Sequence, residues 1–306
     1  MAQAFNIQYF SHREIDKTRW DRCLRESDNG LIYGYSFYLD YMAGQWDGLV
    51  LNDYEAVMPL TWNKKYGIYY LYQPFLCAQL GVFGKNVDTK TSKSFLKAIP
   101  AKFKYWDISL NHQNILHLKD YNIVLRNNFV LKLSANYAEI YKNYRENIQR
   151  NIKKAFQLGC VAQTNFPVEQ VIELSRQQTK SYSNQKHDFE NFRKLYYWLH
   201  ERRQAVTYGI FSVAKELLSS CVFFFSNNRA YYILVGNHPN GRTMGASHAL
   251  IDAFIKDHAG KDLLLDFEGS DIRNLAFFYT SFGATDEKYP AVRLNSLPWY
   301  FRWAKQ

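Results

Sequence analysis

Three apolar strands in quick succession, followed by helix, strand, helix and strand, constrain this chain more than any other feature. Residues 205–214, 217–226 and 230–236 are rich in aromatic and β-branched side chains and read as strands. Lys215–Glu216 and Asn227–Asn228 read as the turns between them, and Asn tolerates the positive φ that a tight hairpin needs. Segments 245–259, 262–267, 271–282 and 291–294 then read as helix, strand, helix and strand. A meander is antiparallel, but a helix between two strands returns the second parallel to the first. The sheet must therefore change from antiparallel to parallel near its middle. Strand ends splay at such places, and ligands favour them.

The first half reads as mixed: strand 4–10, helices 15–25 and 36–43, strands 46–51, 55–62 and 67–75, helix 89–98, then strands 105–110 and 121–133. Near residue 135 the pattern changes. Asn136 with Glu139 resembles a capping box. It opens one long helix, YAEIYKNYRENIQRNIKKAFQLG, that Gly159 stops. Tyr141, Tyr144, Ile148, Ile152, Ala155 and Phe156 form its expected buried stripe. Strand 160–165 and helices 167–180 and 188–203 lead into the meander. For 306 residues, a prior of about 150 per domain agrees with two domains, 1–135 and 136–306.

Lys plus Arg is 38 against 28 Asp plus Glu, a net charge of +10, which favours an anionic partner without choosing among phosphate, nucleic acid and membrane surface. Cys23, Cys77, Cys160 and Cys221 are widely spaced, which speaks against a zinc ribbon or disulfide framework. His112 and His117 are not spaced for one helix face, and no metal site is expected. No signal peptide is visible and no apolar run approaches the ~18 residues of a membrane span. A cytoplasmic protein without membrane insertion is the expectation. Neither GxSxG nor GxxxxGK[ST] occurs, so an α/β-hydrolase and a P-loop NTPase lack their main signature.

Four segments could carry chemistry. In NHPNGRTMGASHALIDAF a loop with Gly241, Arg242, Thr243 and Gly245 leads into a helix whose first residues, Ala246 and Ser247, are small. Unpaired N–H groups and the helix dipole there suit a pyrophosphate, and a well-capped turn would look the same. In LLLDFEGS, alternation puts Leu264, Asp266 and Glu268 on one strand face. The two acids could act as general bases or cap the helix that Ser270 or Asp271 begins. In NLAFFYTSFGA, Tyr279 could donate a proton or simply fill the core. On the long helix, Asn143, Asn147, Arg150 and Lys154 share a stripe flanked by Arg145 and Lys153, which could bind phosphate or remain a solvated face.

The order of RENIQRNIKKAFQLG, LLLDFEGS and AFFYTSFGA resembles the GNAT acyltransferases, especially the tandem FemAB-like branch related to bacterial Fem peptidyltransferases. The resemblance covers about 136–295. It implies the α/β (α+β) class, with two GNAT-like units, each a mixed, mainly antiparallel sheet flanked by helices. The first unit would be degenerate and shape the acceptor side, and the second would be the donor and catalytic side. The family's phosphate loop, Gln/Arg-x-x-Gly-x-Gly/Ala, matches Arg242, Gly245 and Ser247, with Ser where the family has Gly or Ala. Tyr279, four residues before Gly283, matches the GNAT tyrosine acid where the Fem branch has Lys.

The resemblance thus implies acyl transfer from acetyl-CoA or another acyl-CoA to an amine in a ternary complex. Glu268, or Asp266 through water, would take the amine's proton. A backbone N–H within Leu234, Val235 and Gly236 would hold the oxyanion, and Tyr279 would protonate the thiolate. The acceptor would be a small-molecule, peptide or glycan amine. Arg145, Arg150 and Lys154 would bind substrate phosphates. Alternatives are a Fem-type transferase using aminoacyl-tRNA on a cell-wall precursor, and a non-catalytic binder of an anionic polymer or glycan.

Overall fold

The computed structural model describes residues 6–115, 121–178, 186–269 and 271–297. In chain order the elements are β1 (Ile7–Phe10), α1 (Lys17–Glu26), α2 (Ser36–Met42), β2 (Trp46–Leu51), β3 (Ala56–Lys65), β4 (Ile68–Leu71), β5 (Phe83–Gly84), α3 (Thr89–Ala98), β6 (Phe103–Ser109) and β7 (Asn122–Arg126). They continue with β8 (Phe129–Lys132), α4 (Tyr137–Lys142), α5 (Glu146–Gln157), β9 (Val161–Thr164), α6 (Val168–Gln178), α7 (Lys186–His200), β10 (Ala205–Phe211), β11 (Leu217–Ser226) and β12 (Arg229–Asn237). The last are α8 (Pro239–Met244), α9 (Ala246–His258), β13 (Leu264–Asp266), α10 (Arg273–Thr280), β14 (Thr285–Asp286) and β15 (Tyr289–Asn295). His117 and Ser270 lie outside the described residues.

Two compact units form, Met1–Arg126 with Lys288–Gln306, and Asn127–Glu287. The first sheet runs β1-β2-β3-β4-β6-β15-β7, with β5 beside β3, and the second runs β9-β10-β11-β12-β13-β8-β14. The order of pairings is the same in both. Four antiparallel strands are followed by one parallel step, β4 to β6 or β12 to β13. Two antiparallel steps close each sheet. The fold is therefore α/β, with two mixed sheets flanked by helices.

The boundary differs from the expected 135/136. The chain leaves the first unit after Arg126 and returns to it at Lys288. Segment 121–133 is two strands broken at Asn127–Asn128: β7 ends the first sheet and β8 enters the second. The final strand, expected in the second sheet, is β15 of the first. Alternation reports which face of a strand is buried and says nothing of which sheet the strand joins.

The second unit follows its local signals closely. Asn136 caps α4 by accepting the Glu139 N–H at 3.0 Å. Asn227 and Asn228 take φ 48 and 52, turning β11 back into β12. The expected long helix is interrupted, however. The Arg145 N–H donates to the Ser281 carbonyl at 3.0 Å, and Tyr144 is buried edge-on against Phe282. Arg145 is extended (φ −66, ψ 151), so α4 and α5 are separate helices. The Asn143–Lys154 stripe therefore does not lie on one straight helix, and Phe156 is exposed rather than buried. The core forms where α5 and α9 cover the sheet, with Ile148, Ile152, Phe223, Phe254, Leu265 and Phe267. Phe223 and Phe254 stack at 3.7 Å. Each such buried side chain contributes roughly 1.5–3 kcal/mol relative to exposure.

Candidate active site

The parallel pair β12 and β13 holds for three positions, Arg229 with Leu264, Ala230 with Leu265 and Tyr231 with Asp266. β13 then ends, while β12 continues to Asn237. Just past this point β12 has a bulge. Val222 of β11 pairs with Leu234 and Phe223 with Tyr232, so Ile233 is the extra residue. A bulge bends its strand and takes backbone groups out of the ladder. Beyond it lie Leu234 and Gly236, both buried, with Val235 half-buried between them. Gly236 leaves no room for a side chain, because a Cβ would sit 2.7 Å from the Ser175 nitrogen of α6.

At the end of β13 the chain turns sharply through Glu268 and Gly269, with φ 65 and 75. Glu268 has therefore left the alternation that would have put it on the Asp266 face. Asp266 is buried and accepts two hydrogen bonds that fix this turn. Its Oδ2 accepts from Arg229 at 2.6 Å, and its Oδ1 accepts the Glu268 N–H at 2.9 Å. Arg229 also donates to both carboxylate oxygens of Glu287, at 2.8 and 3.0 Å. Burial works against the guanidinium charge, and the Asp266 and Glu287 carboxylates outweigh it, raising its pKa above the ordinary value. Asp266 is thus committed to shaping the turn, which does not suit the expected role of base through water.

Tyr279 is buried and stacks on Phe267, with centroids 4.6 Å apart and planes 20° apart. Burial raises its pKa, and the Cys221 and Glu268 charges add to this. The same causes act on Cys221, where burial leads and Glu268 adds, while the Leu234 N–H opposes them. Glu268, Cys221 and Tyr279 therefore share one low-dielectric neighbourhood beside the bulge.

The loop expected to cradle an anion is largely helical. α8 starts at Pro239, and Gly245 (φ 76) joins it to α9. Both glycines serve close packing: a Cβ at Gly241 would lie 2.2 Å from the Leu218 oxygen, and one at Gly245 would lie 2.4 Å from the Asn151 oxygen of α5. Ser247 donates to Asn237 Oδ1 at 2.7 Å, as does Ser219. The Thr243 hydroxyl donates to the Asn240 oxygen, Ala246 is buried and Arg242 is exposed. The first N–H groups of α9 have no acceptor inside the helix. Arg150 and Lys154 lie one turn apart on α5, whereas Arg145 packs its guanidinium over Phe277 at 4.6 Å.

Residues 142–271 match the family model described as acetyltransferase (GNAT) domain. The crystal structure of FemX superposes with a TM-score of 0.66 at 12% identity, covering 98% of this chain and 100% of that one. The chain has a tandem GNAT fold. A tandem GNAT protein from the clavulanic acid biosynthesis pathway is similar over 96% of this chain and 99% of that one, with a TM-score of 0.57 and 9% identity. The C-terminal domain of a putative lysylphosphatidylglycerol synthetase from Agrobacterium fabrum is similar over 94% of each chain, with a TM-score of 0.54 and 10% identity. Comparison with curated protein sequences returned no match.

In this tandem GNAT fold, sequence reasoning missed Arg229, the Ile233 bulge and the Asn237 hydroxyl cluster. A lone acid inside the apolar run LLLDF needs a buried cation, and Arg229, at the start of an apolar strand, was the available signal. Among the described residues no helix is long and apolar enough to cross a membrane.

Proposed function

We propose that the chain is an N-acyltransferase in which an amine attacks an acyl thioester directly in a ternary complex. The observation that carries this reading is the parting of β12 from β13 beyond Tyr231–Asp266, with a bulge at Ile233, beside the start of α9. The acyl-CoA donor lies along β12. Its carbonyl oxygen accepts from a backbone N–H within Leu234–Gly236, and its pyrophosphate meets the first N–H groups of α9 and Arg242. The residues fit this group in that Arg242 is exposed and the first N–H groups of α9 have no acceptor inside the helix. Glu268 takes the amine proton, with Asp266 and Arg229 holding its backbone in place. Tyr279, which carries its proton at neutral pH and is held by stacking on Phe267, protonates the departing thiolate. Holding donor and acceptor together supplies about 7–11 kcal/mol of the barrier reduction.

A second reading, transfer from aminoacyl-tRNA, draws support from the FemX likeness and from the cations Arg150 and Lys154 on α5. Calorimetric titration separates the two. Heat on adding acetyl-CoA, weakened in Arg242→Ala, supports the first. No heat, with salt-dependent tRNA binding that Arg150→Glu abolishes, supports the second. Failure of both overturns transfer from either donor.

A further inference from the structure

The cationic helix α5 ends at an apolar corner that the candidate active site does not use. Four of the twelve exposed large hydrophobic side chains among the described residues fall here: Phe156, Leu158, Val161 and Val213, the last 77% exposed. The backbone brings them together. Gly159 turns the chain at φ 75, and a Cβ there would lie 2.5 Å from Val213 Cγ2. Val161 opens the edge strand β9, all of whose residues are exposed, and it pairs with Phe211, two residues before Val213. Val213 sits in a turn closed by the Lys215 N–H donating to the Ser212 oxygen at 2.9 Å.

Cations are interleaved with these side chains. Lys153 precedes Phe156 by three residues and Lys154 precedes Leu158 by four, spacings that make neighbours on a helix surface. Lys215 shares the turn of Val213. No acid occurs from Asn147 to Val168. The acid of the turn, Glu216, has its Oε1 3.5 Å from His238 Nε2.

We propose that this corner docks on an anionic phospholipid surface, with Lys153, Lys154 and Lys215 at the lipid phosphates and Leu158, Val161 and Val213 at the headgroup boundary. Cations alone would serve nucleic acid equally well. The aliphatic side chains decide the matter, because they gain nothing from a phosphodiester backbone but leave water at a bilayer boundary. The contact is peripheral. It does not depend on the acyl-transfer reading, although Gly245, at the head of α9, rests directly on α5 at Asn151.

Co-sedimentation of the full chain with vesicles tests this, using phosphatidylcholine alone and phosphatidylcholine mixed with phosphatidylglycerol. Binding is expected only to the mixed vesicles, and it weakens with salt. Lys153→Glu with Lys215→Glu lowers partitioning at least about tenfold. Leu158→Ser with Val213→Ser lowers it about three- to tenfold at unchanged charge. Thermal melting checks that both variants remain folded. Three results would overturn the proposal: mixed vesicles binding the serine pair as well as the parent, tRNA binding without vesicle binding, and self-association lost in the serine pair without vesicle binding.

Discussion

In the second unit β12 outruns β13, and among the described residues no strand pairing joins them beyond Tyr231–Asp266. In the first unit the equivalent strand, β4, stops at Leu71, and the chain then re-enters the gap. Leu80 bridges Leu110 in parallel, and its N–H donates to the Ser109 oxygen at 2.9 Å. Three buried asparagines clamp this segment. The Val82 oxygen accepts from Asn29, Asn111 and Asn114 at 2.9, 2.9 and 3.0 Å, and the Val82 N–H donates to Asn114 Oδ1 at 2.7 Å. Gly81, at φ 91, is required there because a Cβ would lie 2.3 Å from Asn114 Oδ1. One strand order thus carries two notches. One is filled by the chain itself, and the other is left beside a bulge and a helix start. The difference teaches that two units of one strand order can treat the same gap differently, according to where the chain runs after the strand that borders it.

The largest expected effect is at the base of the second notch. Arg229→Met leaves Asp266 and Glu287 without their cation, and urea unfolding should show a loss of about 3–5 kcal/mol. A loss below about 1 kcal/mol would mean that this ion group does not hold the turn.

Next comes acid sensitivity. His248, in the first turn of α9, has a buried Nδ1 without a hydrogen-bond partner, and burial lowers its pKa from 6.5 to about 4. As pH falls the unfolded chain takes up this proton first. The stability contribution is therefore complete above pH 6.5 and is lost between 6.5 and about 4. The loss reaches about 3 kcal/mol, and His248→Gln should flatten that part of the stability profile. Hydrogen exchange should locate it in α9 and leave α3 of the first unit unaffected.

Tyr279→Phe should slow acyl transfer about a hundredfold with little change in donor KM. Because the Tyr279 pKa is raised, its ionisation should contribute no alkaline loss of rate below about pH 10. An alkaline limb near pH 8 that vanishes in Tyr279→Phe would contradict this. In the first unit, Asn114→Ala strips the Val82 N–H of its partner and should cost about 2 kcal/mol in urea unfolding. Donor binding in the second unit should be unchanged, and joint loss of both would show that the two notches are not independent.

Much of this was legible because local chemistry decides local structure. Residues 46–51, 89–98 and 217–226 form the expected elements, and the turn at Asn227–Asn228 has the positive φ that Asn accepts. The missed features depend on partners far along the chain. Arg145 breaks the long helix by bonding to Ser281, β15 crosses back to the first sheet, and Asp266 finds its cation on another strand. At the candidate site the residue types were visible, but their commitments were not. Gly245 read as room for an anion, whereas it is spent on a backbone contact with Asn151.

Calorimetric titration of the chain with acetyl-CoA, repeated with Arg242→Ala and with Asn114→Ala, tests most directly the claim that only the second notch takes the donor. The expected result is one site per chain, weakened about five- to tenfold by Arg242→Ala and untouched by Asn114→Ala. No heat at all, or binding that survives Arg242→Ala and is lost in Asn114→Ala, would contradict it.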